Sequence, residues 1–95
     1  MKNDNDMRKH FDDMEVLFEA IETVRQREQE YGPAIVKYKE LARRWSGVLK
    51  QELTPLQVIL MMMHLKLLRL ENNQDHHDTM VDIAGYAEVY ARVNK

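Results

Sequence analysis

The chain has 95 residues, 32% of them charged, with a net charge of −2 and no cysteine. That length fits one domain, which buries somewhat over ~60% of the surface its unfolded chain would expose and has little room for a deep active site. The near-balance of charge argues against DNA as a partner, and the lack of cysteine excludes disulfides, thiolate catalysis and cysteine-held zinc.

The opening stretch, MKNDNDMRKHFDDM, is polar and has no signal-peptide core. Residues 1–10 read as a disordered tail, and 11–95 as a single helical domain. The first helix is expected over Asp12–Tyr31, with Met14, Leu17, Phe18, Ile21 and Val24 or Arg25 recurring at helical spacing as its apolar stripe. Asp12, Asp13 and Glu15 would suit the positive end of its dipole. Gly32 and Pro33 end it.

A second helix is expected over Pro33–Leu49, with Pro33 at its first position. Ile35 or Val36, Tyr38, Leu41, Ala42, Trp45 and Val48 or Leu49 would face inward, and Gly47 either ends the helix early or sits within it. The third helix has the clearest start: Thr54 caps and Pro55 is the first helical residue. LQVILMMMHLKLLRLE is apolar on nearly every side, which places the helix in the centre of the bundle or in a subunit interface. Its methionines suit adaptable packing. Asn72 or Asn73 is expected to end it in the left-handed conformation. The fourth helix is expected over His77–Val93, capped by Asp75 or Asp78, with small residues at Ala84, Gly85, Ala87 and Ala91 that permit close helix approach. The short connection makes the third and fourth helices antiparallel neighbours. No segment alternates as a strand would. The longest apolar run, Val58–Met63, falls far short of a membrane span. The expected fold is therefore all-α, a bundle of three to four helices, soluble and cytoplasmic.

Asp78, Asp82 and Tyr86 share one helix face, as do Lys66 and Arg69. Across a short turn Arg69 should reach Asp78 and Lys66 should reach Asp82, a ladder of ion pairs that fixes helix register. The alternative is a pocket in which the two cations hold a phosphate or carboxylate. A metal at these aspartates would compete with Lys66 and Arg69. Carboxylates neutralised by cations are poor general acids. No catalytic residue and no metal ligand is assigned. His76 and His77 point about 100° apart on a helix, cannot chelate one zinc, and read as solvent-facing turn residues. Tyr31, Arg43, Arg44 and Trp45 are a candidate partner-binding surface, although aromatics beside leucines are ordinarily core and a basic face is ordinarily solvated.

The segments EYGPAIVKYKELARRW, LTPLQVILMMMHLKLLRL and HHDTMVDIAGYAEV resemble a family of small, mostly uncharacterised proteins encoded by bacteriophages and prophages. Tyr31, Gly32, Trp45, Lys66, Arg69, Asp78, Asp82, Ile83, Ala84, Gly85 and Tyr86 fall on its pattern, over roughly residues 25 to 92. More distantly the family is similar to the all-α, MazG-like nucleoside triphosphate pyrophosphohydrolases, which hold magnesium with E-x-x-E on one helix and E-x-x-D on another. Here Lys66 and Arg69 stand where the first carboxylates are expected, and Glu19 and Glu22 form E-x-x-E only on the first helix. The resemblance implies a MazG-like fold, a homodimer and action in the bacterial host cytoplasm. It also implies a noncatalytic role in which the protein engages a host protein as inhibitor or modulator, needing no cofactor. The alternative it implies is a nucleotide pyrophosphohydrolase or nucleotide-binding protein with an altered magnesium site.

Overall fold

The structure, a computed structural model, describes residues 14–95. The expected tail, and Asp12 and Asp13 of the first helix, lie outside the described residues. Four helices follow in order, α1 (Glu15–Tyr31), α2 (Ala34–Leu49), α3 (Pro55–Asn72) and α4 (His77–Val93). There is no strand among the described residues. The fold is an all-α bundle in which α4 packs between α1 and α3, and α2 closes against α3.

The punctuation between helices is chemical. Gly32 takes φ 83°, ψ −173°, a backbone region essentially restricted to glycine, and its N–H donates to the Glu28 carbonyl at 2.9 Å. Pro33 is extended, with ψ 137°, so it caps α2 and Ala34, not Pro33, is the first helical residue. Gly47 stays inside α2, while Val36, Val48 and Leu49, expected on the inner face, are exposed. The helix ends instead with Lys50 in the left-handed conformation, φ 53° and ψ 38°, at a position that would suit glycine. The Ser46 hydroxyl donates to the Ala42 carbonyl at 2.6 Å and accepts the Leu53 N–H at 2.8 Å, which ties the α2–α3 loop to α2.

Thr54 and Gln57 form a full capping box at the start of α3, with Pro55 in the first turn. The end of α3 differs from expectation: Asn73 caps with φ −143°, not left-handed, and its N–H donates to the Arg69 carbonyl. The cap of α4 is His76, and neither Asp75 nor Asp78 fills that place. Its Nδ1 accepts the Thr79 N–H and lies 2.6 Å from the Thr79 hydroxyl. Accepting at Nδ1 puts the ring proton on Nε2. This bond satisfies Thr79, a polar side chain that is fully buried.

The main core joins Tyr38 and Ala42 of α2, Val58 and Ile59 of α3, and Val93 of α4. Phe18, Ala20 and Val24 are the buried residues of α1. The expected stripe is therefore rotated. Met14, Leu17 and Ile21 stay largely exposed, and Leu17 and Ile21 line an open groove against Ala84 and Ala87 of α4. Gly85 faces Val24, but a Cβ built there would meet the valine methyl at 3.5 Å, an ordinary contact.

Candidate functional site

The α3–α4 pairing brings Lys66 and Asp82 together at 2.9 Å, with side chains 14% and 26% exposed. Two charges held this far from water favour each other strongly only while both remain. Arg69 and Asp78, the second expected rung, are both exposed and form no ion pair with each other. Water solvates each, and Asp78 already stands in the first turn of α4, where the dipole favours it. Tyr86, one turn beyond Asp82, turns away from the cations toward α2. The expected ladder is thus a single rung.

A cleft opens where the end of α1, the start of α2 and the middle of α4 meet, and Asp82 and Tyr86 lie in its wall. Its floor is apolar, from Val24, Ala34, Gly85 and Val89. Arg27 of α1 and Lys37 of α2 also line it. Burial, and then the Arg27 charge, push the Lys37 ammonium below its ordinary pKa, and its Nζ lies 5.3 Å from the centre of the Tyr38 ring. Burial, and then the neighbouring Tyr86 phenol, push the Tyr38 hydroxyl up, so it stays protonated and able to donate. The sequence reading missed Arg27 and Lys37. The available signal was that Arg27 lies three residues after buried Val24 and four before Tyr31, so all three share a face.

The other candidates are scattered. Tyr31 is 71% exposed at the rim of the cleft. Trp45, eleven residues further along α2 than Ala34 and so roughly 16 Å away, packs against the core. Arg43 and Arg44 both bind Glu40, at 2.6 Å and 2.9 Å. Hydrogen bonds from Arg43, and then Arg44, hold the Glu40 carboxyl down at about 2. These four residues do not form one surface. The histidines are not idle turn residues either: His76 caps α4, and His77 Nε2 lies 2.8 Å from Glu19, joining α4 to α1. That contact occupies half of the E-x-x-E pair. Among the described residues no group of three or more histidines or carboxylates could hold a metal ion.

A family model described as a domain of unknown function, DUF6378, matches residues 15–94, which is the whole four-helix unit. The chain belongs to the DUF6378 family. Two curated relatives are each called Gene 55 protein. That of Mycobacterium phage L5 is 42% identical over 83 residues, covering 84% of this chain and 53% of the relative. That of Mycobacterium phage D29 is 31% identical over 68 residues, covering 72% and 45%. The chain spans about half the length of these relatives, and the expected bacteriophage relationship is thereby supported. No solved structure matches. No helix of the described residues is long and apolar enough to cross a membrane.

Proposed function

We propose that this DUF6378 chain is a noncatalytic interaction module of the bacterial host cytoplasm: it pairs with a second copy through α3, and the pair engages a host protein. One observation carries the pairing. Leu60, Met61, Leu65, Leu67 and Leu68 are each 42–55% exposed, and with His64 they cover roughly 160° of the α3 surface. Ile59 lies opposite this face and Val58 borders it beside Leu65, and both are fully buried. The pattern is also symmetric about His64. A two-fold axis there sets Leu60 against Leu68 and Met61 against Leu67 of the second copy, with Gln57 against Glu71 at both ends. Gln57 spends its carbonyl oxygen on the Thr54 N–H, which leaves its amide hydrogens to donate to that glutamate. The face offers on the order of 500 Å² per copy, less than the ~800 Å² of a stable pair. Dissociation on dilution through roughly micromolar concentrations is therefore expected.

The relatives are phage proteins, and a host protein is the third party this reading expects. Sedimentation velocity over a concentration series tests the pairing. Leu60→Glu with Leu68→Glu should leave a helical monomer. A wild-type chain that stays monomeric at every concentration would refute it. Affinity capture from a host lysate tests the engagement: one protein should be retained in stoichiometric amount and reduced by Tyr31→Ala. The MazG-like alternative is read by pyrophosphate release from nucleotides with magnesium, and the occupied Asp82 and Glu19 speak against it.

A further inference from the structure

We propose that the cleft between the end of α1, the start of α2 and α4 is a binding site for a small anion, a phosphate or carboxylate carried on a flat apolar ring, with Arg27 and Lys37 holding the charge. The site is separate from the outward face of α3 and does not rest on the pairing proposed above.

Four observations converge on it. Arg27 and Lys37 line the same cleft, and neither has a carboxylate partner within ion-pair distance among the described residues. Like charges placed together destabilise a fold unless something neutralises them. Of the nearby acids, Asp82 holds Lys66 at 2.9 Å and Glu28 binds Arg92, while Glu30 keeps its charge on accepting from the neutral Gln26 amide at 3.2 Å and lies beside the two cations without pairing with either. None of these contacts neutralises the two cations. The first turn of α2 meets the same point without a side-chain cap, so the positive end of its dipole adds to them. Finally, the interior behind the cations is apolar and bounded by the Tyr38 and Tyr86 rings, which share a hydrogen bond and leave one hydroxyl proton to donate to an anion.

Size sets the ligand class. The cleft is half open and holds about 60 Å³, room for a few waters or the edge of one ring. A single ring entering edge-on between the tyrosines would leave its charged group at the rim, where Arg27 offers a planar fork and Lys37 a point charge. Inorganic phosphate would reach the cations but gain nothing from the floor, and a neutral ring would gain only the floor.

The test is a titration of the full chain followed by two-dimensional amide NMR, with phenyl phosphate, benzoate, inorganic phosphate and phenol as separate probes. Phenyl phosphate or benzoate should saturate, shifting the Lys37, Gly85 and Tyr86 amides, and should do so at lower concentration than inorganic phosphate or phenol. Which of the two saturates first assigns the anion as phosphate or carboxylate. Arg27→Gln and Lys37→Gln should each weaken binding about two- to fivefold, and the double variant should abolish saturation. Arg43→Gln with Arg44→Gln removes the same charge elsewhere and should change nothing. The proposal is overturned if no anion saturates at these amides, if phenol binds as well as phenyl phosphate, or if the double variant binds like wild type. Amide spectra of the variants show directly that the fold is kept.

Discussion

The two faces of α3 have nearly the same composition and opposite circumstances. Inward, Val58 and Ile59 are completely buried against α2 and α4. Outward, five large side chains of the same chemistry stand 42–55% in water. The helix is apolar around most of its circumference, so composition does not say which side is core. The direction is set by other things: the capping box that fixes where the helix starts, and Lys66, the half-buried cation on the inward side, which must meet Asp82. A polar pair can thus decide orientation where apolar surface is available on both sides.

Substituting neighbours on opposite faces gives the largest contrast. Ile59→Ala should cost about 2–5 kcal/mol in urea denaturation, whereas Leu60→Ala should change the stability of the dilute monomer by about 1 kcal/mol or less and weaken self-association instead. Equal costs would dissolve the distinction between the faces. Next comes the polar pair. Lys66→Met alone should cost about 1–3 kcal/mol, less than for a fully buried pair because both partners retain some water. Lys66→Met with Asp82→Leu should recover most of that loss. A double variant as unstable as the sum of its parts would mean the pair does not set the helix face.

Smaller is the contribution of the cap. Thr54→Ala should cost about 1 kcal/mol and loosen the first turn of α3, seen as faster amide exchange at Gln57. Smallest is the solvated baseline against which Lys66–Asp82 is judged. Glu40 has its carboxyl lowered from 4.5 to about 2 by Arg43 and Arg44. Its contribution is present above pH ~4.5 and is lost as pH falls toward ~2. The melting temperature of wild type should therefore exceed that of Glu40→Gln slightly at neutral pH, with the gap closing across that window. Exposure to solvent keeps the gap small.

Much of the fold was legible because its punctuation is local. Gly32, Pro33 and Pro55 act through their own backbone and Thr54 through a hydroxyl that reaches three residues along, so the end of α1 and the starts of α2 and α3 follow from residue type. Which way each helix turns its stripe depends on its neighbours, and there the reading slipped. Of the stripe expected by spacing, Phe18 and Val24 are buried, but Leu17 and Ile21 are not and Ala20 is buried instead. His76 as a cap was hidden because its role depends on Thr79 being buried beside it. In the site, Lys66–Asp82 could be anticipated from a short turn between two helices. The spacing of Arg27 from Val24 and Tyr31 placed it on one face with them, but its meeting with Lys37 could not be anticipated, since that depends on how α1 and α2 fold back upon each other.

Gly85 carries one last implication. A methyl group would fit there without moving Val24, and alanine would make the middle of α4 about 1 kcal/mol more helical. The backbone conformation does not require the glycine, so thermostability is left unclaimed at a position one carbon atom could fill. The vacancy that the missing carbon leaves is part of the cleft wall. An alanine there should give a hardier protein with a shallower pocket, which makes residue 85 the place where robustness and ligand room trade directly against each other.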